Sequence, residues 1–141
     1  MNIFLHILKR TLVIFISLFA GAMLNGAMIN VSNQIIPPPV GFDLTTAEGL
    51  QAAMPHMGPE HFLFPFLAHA LGTLLSAVLI TRFLKSQQFV FSMMVGVLFL
   101  IAGISMVIML PETPICFVLV DLIVAYIPMA YLGYKLAFKS K

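Results

Sequence analysis

The chain has 141 residues, of which 61% are hydrophobic and only 9% are charged, and its net charge is +2. Soluble domains carry about 25% charged residues, so this composition excludes an ordinary soluble enzyme. The few basic residues lie at the boundaries of apolar runs, which indicates no affinity for nucleic acid. Cys116 is the only cysteine, so an internal disulfide and a thiol redox pair are excluded. The sequence predicts an all-α, polytopic membrane protein.

Four apolar runs are long enough to cross a membrane, which takes about 20 residues. They predict spans at residues 11–31, 62–81, 89–110 and 115–136 within a single domain, 1–141. The links after the second and third spans are short, so we expect an up-down-up-down bundle of four transmembrane helices. The apolar residues before Lys9 should form an interfacial segment or a continuation of the first helix.

The charges are distributed unevenly along the chain. All Lys and Arg residues lie before the first span, between the second and third spans, or at the end of the fourth: Lys9, Arg10, Arg82, Lys85, Lys135, Lys139 and Lys141. The other two connections hold four of the five carboxylates: Asp43, Glu48, Glu60 and Glu112. By the positive-inside rule, both termini and the link between spans two and three are expected in the cytoplasm.

The first connection, residues 32–61, is long for so small a protein. Thr45 followed by Glu48 has the spacing of a helix capping box and predicts a short helix over residues 47–54. The apolar residues in and beside this segment, such as Leu44 and Leu50, would suit a lid over the mouth of the bundle. A plain spacer is the alternative, and the sequence leaves both open.

Small and polar residues repeat every four positions along the spans. The first span carries Ser17, Gly21 and Asn25, and the second carries Ala68, Gly72 and Ser76. Such stripes allow membrane helices to approach closely, so we expect them to face the interior of the bundle. Packing alone accounts for the glycines and alanines, but not for an asparagine or for ionisable residues.

His69, Asp121 and Asn25 are polar residues inside three different spans. At about 1.5 Å per residue, they lie about 9–12 Å from the outer ends of their helices. Ionisable groups at such depth are costly and usually face the interior with a partner. We therefore expect His69 and Asp121 to meet, directly or through Asn25 or a water, and to share a proton. Both a ligand site and a purely structural contact are compatible with this pattern.

Two further residues extend the predicted site towards the membrane surface. Glu60 and His61 lie at the start of the second span, and His61 falls on nearly the same helix face as His69. The predicted ligand-binding set is therefore an outward-opening polar funnel of His69, Asp121, Asn25, His61 and Glu60. Below Asp121, Pro128 predicts a kink in the fourth helix.

Met54, His56 and Met57 suggest a second site, in the first connection. Thioether and imidazole groups are ligands that suit Cu(I), and the sequence therefore raises a copper-binding hypothesis. Methionine is also a common apolar filler, and the chain has ten, so chance proximity explains the same pattern. The sequence indicates no other cofactor.

The segments 69–74 (HALGTL) and 120–130 (VDLIVAYIPMA) resemble those of small, uncharacterised bacterial four-helix integral membrane proteins. The resemblance covers the second to fourth spans. It implies a location in the bacterial cytoplasmic (inner) membrane and a four-helix architecture, and it implies no activity.

The function expected from these features is binding or transport of a small ion, a proton-coupled solute or a polar ligand. Membrane lipid should surround the protein, and a homo-oligomer is expected because four helices scarcely enclose a solute path alone. The alternatives are a lipid- or quinone-modifying membrane enzyme and a non-catalytic subunit of a larger membrane complex.

Overall fold

The computed structural model describes residues 3–139, so Lys141 lies outside the described range. Four helical segments there are long and apolar enough to cross a membrane. The first three are α1 (Ile3–Ile35), α3 (Leu63–Phe83) and α4 (Gln88–Met109). The fourth segment is divided into α5 (Ile115–Val124) and α6 (Ile127–Lys139). Between α1 and α3 lie the short helix α2 (Ala47–Ala53) and two 3-10 turns, Met54–His56 and Pro59–Phe62.

The predicted spans agree with these helices, except that α1 is longer at both ends. Residues 3–8 continue α1 past Lys9 and Arg10 without a break. Of the two forms expected for this segment, the structure therefore shows the helical continuation.

α3 is the central helix, and it packs against α1, α4 and α6. Its contact with α1 uses the two small-residue stripes. Gly21 lies so close to α3 that a Cβ atom there would overlap the Gly72 carbonyl oxygen and the Ser76 hydroxyl. The Ser76 hydroxyl donates a hydrogen bond to the Ser17 carbonyl over 2.8 Å. Position 17 therefore meets position 76, and position 21 meets position 72.

Small residues also join the remaining helices. The hydroxyls of Thr81 on α3 and Ser92 on α4 are 2.9 Å apart and hydrogen-bonded. Gly96 of α4 packs against Ala130 of α6, and Gly133 of α6 packs against the α3 backbone. These close contacts fix α3, α4 and α6 as a tight group.

The two ends of the bundle differ in charge. At one end, the Arg10 guanidinium donates a 2.6 Å hydrogen bond to the hydroxyl of Ser86, in the link between α3 and α4. We call this the basic end. The opposite end carries α2 and the link between α4 and α5, and we call it the connection end.

The predicted short helix in the first connection is present, but its cap is one residue further along. The Thr46 hydroxyl accepts a hydrogen bond from the Gly49 backbone N–H over 3.1 Å and so caps α2. Thr45, the predicted cap, instead donates from its hydroxyl and its backbone N–H to the Asp43 carboxylate. These two bonds hold the pKa of Asp43 below its ordinary value, the hydroxyl contributing most. The capping-box assignment was therefore wrong, because the aspartate competes for the Thr45 side chain.

Removing this cap should loosen α2. We expect Thr46→Ala to destabilise the helix by about 1 kcal/mol, because the Gly49 N–H loses its partner. Amide exchange at Gly49 and Leu50 should then speed up. Thr45→Ala is the matched control, since it leaves the Gly49 bond in place. Faster exchange at Gly49 in the control than in Thr46→Ala would restore the original capping-box assignment.

The fourth membrane segment is interrupted at Ala125 and Tyr126. The Ala125 N–H still donates to the Asp121 carbonyl over 2.9 Å, which completes the last turn of α5. Pro128 has no N–H, so it cannot donate to the carbonyl of Val124 four residues earlier. α6 then starts at Ile127, with the Ala130 N–H donating to the Tyr126 carbonyl. The kink predicted from Pro128 thus takes the form of a break between two helices.

Candidate functional site

His69 and Asp121 meet directly inside the bundle. The His69 Nδ1 atom lies 2.9 Å from Oδ1 of Asp121 and 3.0 Å from Oδ2. Only 4% of the Asp121 side chain and 20% of the His69 side chain are exposed. A carboxylate accepts hydrogen bonds only, so His69 donates from Nδ1. This pairing places a histidine–carboxylate contact between α3 and α5.

Tyr126 completes the group, and the sequence analysis did not assign it to this site. Its hydroxyl donates to Oδ2 of Asp121 over 2.9 Å, and its ring stacks near the His69 ring with centroids 5.7 Å apart. Residues five positions apart do not share a face of a regular α-helix, since neighbours lie three and four apart. The interruption at Ala125 and Tyr126 lies at this point, and the Tyr126 side chain reaches back to Asp121. The signal that could have found Tyr126 was therefore Pro128, two residues beyond it.

A glycine on α4 makes room for this tyrosine. A Cβ atom at Gly103 would overlap the Tyr126 hydroxyl and ring. The hydroxyl can therefore reach Asp121 only because residue 103 has no side chain. In this way α3, α4, α5 and the α5–α6 break together position one buried carboxylate.

His69 and Asp121 of this group line a cavity of about 190 Å³ near the connection end. Among the described residues, the polar ones that line the cavity are Ser32, Asn33, His61, His69, Thr113 and Asp121. The remaining lining is apolar and comes from α1, the first connection, α3, α4 and α5. It includes the aromatic pair Phe62 and Phe117, whose ring centroids are 5.0 Å apart. The cavity is thus a largely apolar space with the His69–Asp121 pair in its wall.

The first connection forms part of the cavity wall at the connection end. Leu44 and Leu50 line the cavity, and so do Met54 and Met57. Met54 also packs with Phe62 and with Leu110 at the end of α4 in a buried apolar cluster. Of the two roles left open by the sequence, these contacts favour a lid.

His61 and Glu60 lie in the 3-10 turn Pro59–Phe62 that leads into α3, and of the two only His61 lines the cavity. The His61 ring nitrogens lie 3.3 Å from the Gly58 carbonyl oxygen and 3.2 Å from that of Pro37. The ring therefore links the beginning of α3 to the proline segment after α1. Glu60 is 3.4 Å from His61 and its side chain is 60% exposed. Ligand binding by either residue stays a prediction.

Asn25 lies elsewhere than expected. It packs against Gly72, and it is not among the described residues that line the cavity. The depth estimate took the first span to end at residue 31, whereas α1 runs to Ile35. That extension places Asn25 about one turn deeper than the estimate, because each residue adds about 1.5 Å. A ligand-binding role for Asn25 stays a prediction, without support from this geometry.

The three residues of the copper hypothesis point to different surroundings. Met54 and Met57 line the cavity, whereas the His56 ring stacks on Phe42 with centroids 5.1 Å apart. Within residues 3–139, no three His, Cys, Asp or Glu side chains form a group that could hold a metal ion. The Cu(I) hypothesis therefore stays a prediction that rests on sequence proximity.

The arrangement determines which atom of His69 is available to a ligand. Because Nδ1–H is held by Asp121, the free position of the ring is Nε2. In the neutral ring Nε2 accepts a hydrogen bond, and in the protonated ring it donates one. A carboxylate partner fixes the tautomer and orientation of an imidazole in this way. The site can therefore bind a hydroxyl or a carbonyl group, and it can hold or release a proton.

Comparison with protein-family models, with curated proteins and with solved structures gave no match. The interpretation of the site therefore rests on the geometry of this chain.

Proposed function

We propose that the protein binds a small molecule in this intramembrane cavity through Nε2 of His69. The observation that carries the proposal is the His69–Asp121 pair, held by the Tyr126 hydroxyl, in the wall of a largely apolar cavity. Asp121 orients the imidazole, and Tyr126 supplies a second hydrogen bond to the carboxylate. Binding is coupled to the protonation state of the pair, since Nε2 changes from acceptor to donor when the ring is protonated.

The packing supports ligand binding more than conduction of an ion through one chain. On the basic-end side of Tyr126, Gly133 packs tightly against the α3 backbone, and Gly96 packs against Ala130. These contacts close the bundle beyond the site. Transport would then require a rearrangement of the helices, for which the break at Ala125 is the natural hinge.

The membrane setting is part of the proposal. We propose a multi-pass protein of the bacterial cytoplasmic membrane, with alternating helix directions and both termini in the cytoplasm. The segregation of Lys and Arg at the basic end supports this orientation. Exposed apolar side chains along α1, such as Phe15 and Phe19, suit contact with lipid or with a second copy in a homo-oligomer.

The orientation can be tested by cysteine labelling in cells. With the native cysteine removed as Cys116→Ser, a membrane-impermeant maleimide added outside should label Thr46→Cys and spare Ser86→Cys. Both positions are polar residues in connections, so accessibility depends on the side of the membrane alone. Permeabilised cells should label both variants, which controls for reactivity. Labelling of only Ser86→Cys in intact cells would reverse the orientation.

Phenol is a suitable probe for the cavity, because it combines one ring with one hydroxyl group. An engineered cavity of about 150 Å³ holds benzene, so about 190 Å³ has room for phenol. In lipid nanodiscs, phenol should shift the ¹⁵Nε2 resonance of His69, and benzene should shift it much less. The resonance of His6, on α1 outside the cavity, controls for nonspecific partition into the lipid.

Asp121→Asn tests the role of the carboxylate. The asparagine keeps the volume and an acceptor for His69 but removes the charge. Charge-assisted hydrogen bonds are about twice as strong as neutral ones, so we expect phenol affinity to fall about tenfold. Ser105→Ala, on α4 and outside the cavity, is the control and should leave the affinity unchanged. Equal phenol affinity in Asp121→Asn and the natural protein would refute the proposed site.

A further inference from the structure

α1 and α4 are separated by an apolar groove on the outside of the bundle. The groove is lined by Phe15, Phe19 and Ala22 of α1 and by Leu98, Phe99 and Ala102 of α4. α1 packs its backbone against α3, whereas no comparable packing joins it to α4 in the described chain. The groove is therefore a gap between two helices that share a neighbour.

The groove and the cavity are both lined by residues of α1 and α4, and they occupy successive stretches of these two helices. On α1, Ala22 lines the groove and Ile29 lines the cavity, seven residues or about two turns further along. On α4, Ala102 lines the groove, and its neighbour Gly103 lines the cavity. The two spaces therefore lie end to end between α1 and α4.

Gly26 occupies the position on α1 between the groove and the cavity. Its spacing from Ala22 is four residues and from Ile29 three, so all three share one face of the helix. A Cβ atom at Gly26 would meet no heavy atom within 4 Å. Gly21, by contrast, is in tight contact with α3. No side-chain or backbone atom therefore obstructs this face of α1 at Gly26, between the residues that line the groove and those that line the cavity.

The cavity suits an aromatic ring and has room for little more. Phe62 and Phe117 offer ring contacts, and the thioethers of Met54, Met57 and Met106 line the same space. Sulfur–aromatic contacts are favourable. A volume of about 190 Å³ holds a substituted ring but no long hydrocarbon chain, given that about 150 Å³ suffices for benzene. A lipophilic ligand must therefore extend its tail out of the cavity.

From these features we infer that the ligand is a lipophilic phenol, with its hydroxylated ring at His69 and its apolar tail in the groove between α1 and α4. The inference rests on the proposed function, since the ring occupies the same cavity. The hydroxyl donates to Nε2 of His69, the ring lies against Phe62 and Phe117, and the tail passes Gly26. The ligand reaches the site sideways from the lipid phase.

The test uses three probes that differ by one feature each: phenol, 4-nonylphenol and nonylbenzene. Binding is measured in nanodiscs as a function of the mole fraction of probe in the lipid. The two readouts are the ¹⁵Nε2 chemical shift of His69 and the ¹⁹F spectrum of protein labelled with fluorophenylalanine. The tail should make 4-nonylphenol bind at least tenfold more tightly than phenol. Nonylbenzene lacks the hydroxyl and should not shift His69.

Gly26→Leu places a branched side chain between the groove and the cavity, and its Cβ atom meets no heavy atom within 4 Å. It should remove the tenfold advantage of 4-nonylphenol while leaving phenol binding intact. Ala27→Leu adds similar bulk at the same depth on a different, exposed face of α1, and it should leave both affinities unchanged.

The outcomes separate the two proposals. Phenol binding without any gain from the tail, or a gain that survives Gly26→Leu, would overturn the groove inference and leave the cavity site standing. Failure of both phenols to shift His69 would overturn the proposed function itself. If crosslinking places a second copy of the chain in the groove, the groove is a protein interface, and the inference is again overturned.

Discussion

Replacing His69 by alanine is expected to lower the free energy of unfolding by about 3 kcal/mol, the upper end of the cost of leaving a buried polar group without its hydrogen-bond partner. The loss arises because the Asp121 carboxylate keeps only the Tyr126 hydroxyl as partner while remaining buried. The measurement is reversible unfolding in mixed lipid–detergent micelles. His56→Ala, at an exposed histidine outside the cavity, is the control and should change the free energy by less than about 0.5 kcal/mol.

A double-mutant cycle with Asp121→Ala isolates the contact between the two residues. Polar contacts between membrane helices average about 0.6 kcal/mol, and the charged, two-oxygen geometry here should exceed that value. We expect a coupling energy of at least about 1 kcal/mol. If the effects of the two substitutions on the free energy of unfolding are additive, the coupling energy between His69 and Asp121 is zero. The contact between them then does not form in the membrane.

Gly21→Ala should be the other severely damaging substitution, although it adds a single methyl group. That methyl would overlap the Gly72 carbonyl and the Ser76 hydroxyl, so α1 must move away from α3. Overpacking of this kind costs about 1–3 kcal/mol. It should also weaken the hydrogen bond from Ser76 to the Ser17 carbonyl.

Gly26→Ala is the matched control for this prediction. Both glycines lie on α1, five residues apart, but a methyl group at Gly26 meets nothing within 4 Å. Alanine favours helix over glycine by up to about 1 kcal/mol, so Gly26→Ala should be neutral or stabilising. The free energy of unfolding, measured in the same micelles, should be clearly higher for the natural protein than for Gly21→Ala. Equal free energies of unfolding for Gly21→Ala and Gly26→Ala would show that α1 does not pack on α3 through Gly21.

Apolar length and small-residue spacing predicted most of the fold. The helices α3 and α4 start and end within two residues of the predicted spans, because Gln, Lys and Ser mark the polar link between them. The two four-residue repeats correctly placed Gly21 and Gly72 on packed helix faces, although their contact with each other was not predicted. The extension of α1 to Ile3 was one of two expected forms, since apolar residues beside a basic pair suit both a helix and an interfacial segment.

The site was predictable in part, and its missing pieces have physical causes. Similar depths on two helices correctly indicated that His69 and Asp121 would meet. Tyr126 was missed because residues five positions apart do not share a face in regular helical spacing, and the exact place of the interruption near Pro128 was not predicted. Asn25 was assigned to the site because the end of α1 was placed four residues too early. Thr45 was taken as a cap because the nearby Asp43 was not weighed as a competing partner.

The length of α1 relates the protein to the thickness of its bilayer. Its 33 residues extend about 50 Å, whereas the hydrocarbon core of a bilayer is about 30 Å thick. Arg10 is bonded to the link between α3 and α4, which holds α1 at the basic end, and we expect α1 to match the core by tilting. Longer acyl chains would straighten α1 relative to α4. Because α1 forms one wall of the groove, acyl-chain length should adjust the width of the groove and hence access to the cavity.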